Sequence, residues 1–149
     1  MKPTKPENLN ALVRGLGISC RRGSLDLTIT EITDDSRAVT AGCLFVARPG
    51  GDERWRDYAA RAAERGAGAV LAADAVAVPD GVTLLLAERV DQALAGAIAA
   101  RFFGEPAKQL KLIGVTGTNG KTTVAHLVAH LLEAAGRRPA VFGIPNTAG

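Results

Sequence analysis

Gly114-Val115-Thr116-Gly117-Thr118-Asn119-Gly120-Lys121-Thr122-Thr123 decides how the second half of this chain folds. Before it runs an apolar, strand-like stretch, residues 110–115. After it, Val124, Leu127, Val128, Leu131 and Leu132 recur at helical spacing, and Gly136 supplies a stop. A glycine-rich turn between a strand and a helix is the setting in which backbone cradles phosphate. Glycines 114, 117 and 120 let the chain bend and approach oxygens with no Cβ in the way. The N–H groups of Asn119, Gly120, Lys121 and Thr122 can converge on phosphate at the helix N-terminus. Thr116, Gly117, Thr118, Asn119, Gly120, Lys121 and Thr122 are therefore the expected ATP contacts. Lys121 is the catalytic candidate, a cation beside the β- and γ-phosphates, and Thr122, ahead of Thr123, is expected to lend its hydroxyl to Mg²⁺.

The spacing is unusual. The common template Gly-x-x-x-x-Gly-Lys-Thr requires glycine at position 115, where this chain has Val115, and the glycines fall instead as Gly-x-x-Gly-x-x-Gly-Lys-Thr. A chance Gly-Lys-Thr in an ordinary turn is the bland alternative, and the strand–helix setting outweighs it.

Outward toward the N-terminus, Gly104-Glu105-Pro106-Ala107 reads as a linker. Ahead of it the pattern is again α/β. Residues 8–16 suggest a short helix stopped by Gly15 and Gly17. Residues 25–32 alternate apolar and polar like a half-buried strand. Cys43-Leu44-Phe45-Val46-Ala47 is a continuous apolar run suited to a buried strand. A helix is expected over residues 55–64, with Tyr58, Ala59, Ala62 and Ala63 on its inner face. Strands are expected over 69–72 and 82–86, and a further helix on Val90, Leu94, Ala97, Ile98 and Phe102. The predicted fold is α/β: a small N-terminal domain over 1–104, then the start of a P-loop, Rossmann-like ATP-binding domain over 105–149. One strand–loop–helix–strand unit cannot close its own sheet, so this second domain is expected to be incomplete.

Composition bounds the alternatives. The chain has 149 residues, 47% hydrophobic and only 4% aromatic, enough for a core built largely from small side chains. No run approaches the roughly 20 apolar residues of a membrane span, and the basic start Met1-Lys2-Pro3 has no apolar segment behind it, so a cytoplasmic protein is expected. Cys20 and Cys43 have neither metal-site nor disulfide-framework spacing and read as reduced thiols. The net charge is +3 and the pI about 9.2. The arginines are scattered, with Arg21 and Arg22 in an expected loop and Arg54, Arg56, Arg61 and Arg65 interrupted by acids, so nucleic acid is not the expected partner. His126 and His130 sit four apart with Glu133 nearby, but the sequence has no His-Glu-x-x-His motif and a polar helix face is the better reading. Trp55 and Tyr58 could stack on a base, and an anchor at the helix start is again the simpler role.

The loop Val115 to Thr123 resembles the ATP loop of the Mur ligases, and folylpolyglutamate synthetases have a similar one. Upstream, Asp35-Ser36-Arg37, Ala41-Gly42-Cys43-Leu44-Phe45-Val46-Ala47 and Gly66-Ala67 resemble the N-terminal domain shared by the tripeptide-forming and pentapeptide-forming Mur ligases. Phe103-Gly104-Glu105-Pro106 followed by the 110–117 run is most similar to the tripeptide-forming type. This resemblance implies an ATP-dependent ligase of peptidoglycan synthesis, acting through an acyl phosphate on UDP-N-acetylmuramoyl-dipeptide and an amino acid, and expected to be a monomer. Carried over by position, it implies that Asp34, Ser36, Gly51, Asp52 and Glu53 contact the UDP-muramoyl substrate, although the two acids at 52 and 53 match poorly with a passing diphosphate. The pentapeptide-forming type is the nearest alternative. A non-catalytic fragment that binds only the UDP substrate and an unrelated P-loop NTPase are the others.

Overall fold

A computed structural model of the chain describes residues 6–49 and 54–143. It divides into two compact units, Met1–Leu110 and Lys111–Gly149.

The first unit is built on a five-stranded sheet. Its strands are β2 (Ile18–Arg22), β4 (Ile32–Thr33), β5 (Leu44–Val46), β6 (Ala69–Ala72) and β7 (Thr83–Ala87), in the spatial order β2-β7-β6-β5-β4. Strands β4 to β7 are parallel, and β2 joins the edge antiparallel to β7. A separate two-stranded pair joins β1 (Glu7–Asn8) to β3 (Thr28–Ile29). Alternation along the strands sorts the core into two layers. Leu44, Val46, Ala69, Leu71, Leu85 and Ala87 face helices α1 (Leu9–Val13) and α3 (Gln92–Phe102), packing with Leu9, Leu12, Ile98 and Phe102. Phe45, Val70, Ala72 and Leu84 face α2 (Arg54–Glu64), meeting Trp55, Ala59, Ala62 and Ala63. The expected α/β class is what forms. Alanine-rich helix faces let α2 lie close on the sheet, as a core of small side chains requires.

Several elements differ from the sequence expectation. Arg21 and Arg22, expected in a loop, belong to the edge strand β2. Four of its five residues are exposed, so no buried face betrays it in the sequence. The single strand expected over 25–32 breaks into β3 and β4, which join different sheets: β3 pairs with β1 and β4 with β5, while the carbonyls of Leu25 and Leu27 accept from the N–H groups of Asn10 and Leu9 at the start of α1 (3.2 and 2.8 Å). The first helix is also shorter than expected, ending at Val13. On α2, Trp55 is buried and Tyr58 is 40% exposed, so Trp55 and not Tyr58 anchors the inner face. The Arg56 guanidinium lies 4.7 Å above the Trp55 ring.

In the second unit, α4 spans Lys121–Ala134, and Gly136 takes the positive φ of a helix stop (73°). The strands expected over 110–115 and 139–142 do not form ladders, since neither segment has a hydrogen-bonded neighbour among the described residues. Leu112, Ile113, Leu127 and Leu131 are 60–73% exposed. The expected apolar stripe of α4 is thus present without a cover among the described residues.

Candidate functional site

In the sheet unit, Asp34 and Ser36 lie just past the carboxyl end of a parallel strand. Ligands of open α/β sheets bind outside the carboxyl ends of such strands. Asp34, Asp35 and Ser36 follow β4, Arg48 follows β5, Asp74 follows β6, and Asp91 and Gln92 follow β7. Asp34 is held by Arg48, whose Nε donates to Asp34 Oδ2 at 3.0 Å and whose Nη2 pairs with the same oxygen; Arg48 Nη1 also donates to Gln92 Oε1 at 2.8 Å. One guanidinium therefore ties together residues that follow three different strands.

The turn itself is closed by local bonds. Asp35 N–H donates to Thr33 Oγ1 at 3.1 Å. The Asp35 carboxylate accepts the Arg37 backbone N–H (2.9 Å) and a fork from Arg37 Nε and Nη2 (3.0 and 2.8 Å). These bonds from Arg37 hold the Asp35 carboxyl at a pKa of about 2, against an ordinary 3.8. Arg65, just past the end of α2, donates from Nη1 to the Ser36 carbonyl at 2.9 Å. The Ser36 hydroxyl has no hydrogen-bond partner among the described residues.

Asp34 and Ser36 are thus brought together. Gly51, Asp52 and Glu53, the other expected substrate contacts, lie outside the described residues. Arg48, Arg65 and Gln92 went unread in the sequence as site residues. The one available signal was an arginine placed between a buried apolar run and the Pro49-Gly50-Gly51 break. Hollows in this unit, of about 310 and 400 Å³, lie along α3 and the Pro106–Gln109 turn and include none of these residues.

In the second unit, the glycine loop runs into α4 as expected. Gly120 caps the helix with φ 75° and ψ 0°, and Gly117 has φ 146°, both in the region that favours glycine. The Gly120 carbonyl accepts the Val124 N–H at 2.9 Å, so the first turn is formed. Lys121 Nζ folds back over the loop and donates to the carbonyls of Gly117 (2.7 Å) and Thr118 (3.1 Å). A cation, glycines with positive φ and the N–H groups opening a 14-residue helix make a donor set suited to a polyphosphate. Residues 115–148 match the Mur ligase middle domain.

The upstream unit extends that match. A UDP-N-acetylmuramoyl-L-alanyl-D-glutamate–2,6-diaminopimelate ligase of Pseudomonas aeruginosa is 46% identical over 124 residues, 82% of this chain. The chain belongs to the Mur ligase family. A ligase with the same name from Parasynechococcus marenigrum is 40% identical over 146 residues, 92% of the chain. A solved structure of a protein of that name superposes with a TM-score of 0.73 at 27% identity, covering 95% of this chain and 30% of that one. MurF of Acinetobacter baumannii, at 23% identity and a TM-score of 0.64 over 89% of this chain and 28% of its own, shares the fold. The chain spans 28% of the length of the Parasynechococcus marenigrum ligase and 26% of that of the Pseudomonas aeruginosa ligase.

Among the described residues no helix is long and apolar enough to cross a membrane, and no group of three or more His, Cys, Asp or Glu side chains could hold a metal ion. His130 lies 3.7 Å from Glu133 on an exposed helix face. Cys20 is exposed, Cys43 is buried, and both are free thiols.

Proposed function

We propose that this chain is the part of a Mur ligase that holds the UDP end of its substrate and grips ATP. In this reading the whole enzyme joins an amino acid to UDP-N-acetylmuramoyl-L-alanyl-D-glutamate, and the names of the relatives make 2,6-diaminopimelate the first amino acid to test. The observation that carries the reading is the Gly-x-x-Gly-x-x-Gly-Lys-Thr loop opening α4 in a chain so similar to those ligases.

The chemistry asks for two things from these residues. A substrate carboxylate must attack the γ-phosphorus of ATP, forming a C–O–P acyl phosphate and releasing ADP; an amine then attacks the activated carbonyl, forming the amide and releasing phosphate. Both partners of the first step are anions and repel each other. Lys121 is the residue to offset that repulsion. Its ammonium leaves the Gly117 and Thr118 carbonyls and takes phosphate oxygens in their place, with Thr116 to Thr122 supplying backbone donors. Thr122 is the proposed Mg²⁺ ligand, and the ion when bound neutralises charge on the transferring phosphoryl group. In the sheet unit, Ser36 is the proposed hydrogen-bonding contact for the nucleotide and Asp34 lines its site.

The test is a ligation assay on the complete enzyme with UDP-muramoyl-dipeptide, ATP and diaminopimelate. Lys121→Ala is expected to lower turnover by roughly 10²–10³-fold, the usual cost of removing one transition-state charge partner. Unchanged ligation by that variant would sink the role of the loop. Ligation of a dipeptide in place of an amino acid would point to the pentapeptide-forming type.

A further inference from the structure

The turn after β4 is braced from two directions. Arg48 reaches it from the end of β5 and grips the Asp34 carboxylate, while Arg65 reaches it from the far end of α2 and grips the Ser36 carbonyl. Between these two contacts the polar groups of Asp35 are used internally, its N–H by Thr33 and its carboxylate by Arg37. The Ser36 hydroxyl stands apart from this web, without a partner among the described residues. A serine hydroxyl in a turn commonly bonds its own neighbouring backbone. Here the turn is held by other groups, so the hydroxyl stays available.

We propose that Arg48 and Arg65 are positioning residues: they clamp the 34–36 turn so that the Ser36 hydroxyl is presented, already oriented, to the nucleotide. The inference rests on the reading of Ser36 as a nucleotide contact. Arg48 does more than pair with Asp34, because its bond to Gln92 ties the turn to the start of α3 across the carboxyl edge of the sheet. Arg65 adds a second constraint from the end of α2, through a carbonyl and not a charge. A turn fixed at both ends loses little further freedom when a ligand binds, and that saving appears as affinity.

The two arginines could also favour an anionic ligand simply by their charge, and a double-mutant cycle separates the two effects. UDP is titrated calorimetrically into the present chain and into Ser36→Ala, Arg48→Met and Arg65→Met, singly and in each arginine–serine pair. Each arginine variant is expected to weaken UDP binding by about tenfold, the scale of one well-made hydrogen bond. Added to Ser36→Ala, each should cost less than about twofold more, because the hydroxyl it positions is gone. Arg65→Lys, which keeps a donor, should recover part of the affinity. Penalties that multiply with that of Ser36→Ala would mean long-range attraction and overturn the positioning role, as would arginine variants that bind like the parent. A parent chain that binds UDP while Ser36→Ala binds equally well, or a parent that binds none, would overturn the site reading itself. Both arginines are exposed, so the fold is expected to survive. Should Arg65→Met melt early, Arg65→Gln carries the same cycle.

Discussion

Asp35 shows how one residue of the turn spends its charge. Its carboxylate is held near pKa 2, first by the Arg37 guanidinium and then by the Arg37 backbone N–H. A depressed acid contributes stability above its unfolded pKa, here 3.8, and that contribution fades as pH falls through about 2. Around neutral pH the pairing of Asp35 with Arg37 is therefore insensitive to acid. In a ¹³C-carboxyl titration the Asp35 midpoint is expected near 2 in the parent chain. In Arg37→Ala it should rise toward 3.8 without reaching it, since the backbone N–H remains. A midpoint unmoved by Arg37→Ala would mean that the guanidinium does not hold the turn. Such pairings were legible in part. Asp35-Ser36-Arg37 announces itself as a polar turn, whereas the reach of Arg48 to Gln92, 44 residues away, exists only once the sheet is assembled. No local pattern encodes a contact between the ends of two strands.

Among the elements, β5, β6 and β7 were readable because burial on both faces makes them continuous apolar runs. Edge strand β2 was not, for the opposite reason: its exposed residues Ser19 to Arg22 carry no face pattern, and a ladder to β7 fixes it. What closes that edge is Gly23, with φ 89°, where a Cβ would sit 2.5 Å from Thr83 Oγ1 and 2.8 Å from Thr83 Cα. Thr83 is buried, and its hydroxyl exchanges hydrogen bonds with the Ser24 backbone at 3.1 and 3.2 Å. Gly23→Ala thus adds left-handed strain to a backbone clash and should cost upward of about 2 kcal/mol. The check is urea unfolding, which should show the loss, and exchange of the β2 amides, which should quicken before those of β6. At the centre of the sheet, Phe45 is 1% exposed and packs against α2. Phe45→Ala should cost about 3–5 kcal/mol through the cavity it opens, measured by the same unfolding curves. A cost below about 1 kcal/mol would contradict the tight packing of that layer.

For the molecule as a whole, the two units have different kinds of support. The sheet unit has a core on both faces, while α4 exposes much of its apolar stripe among the described residues. The helix and its loop were legible because glycine spacing and helical periodicity are local signals. The flanking strands failed to appear because a strand is completed by its neighbours. The difference matters for ligand linkage. A ligand that binds only the folded state stabilises it by RT ln(1 + [L]/Kd), about 2.7 kcal/mol at a hundredfold excess over Kd. For a unit of this size that corresponds to a rise in melting midpoint on the order of 10 °C. If the turn after β4 holds the nucleotide, UDP should raise the midpoint followed through Trp55, which is buried against the sheet. Ser36→Ala should remove most of the rise. Inorganic pyrophosphate at the same concentration carries comparable charge but no nucleoside, and should raise the midpoint far less. An equal rise with pyrophosphate would mean that the arginines of the carboxyl edge attract anions indiscriminately, and the serine would lose its assigned part in recognition.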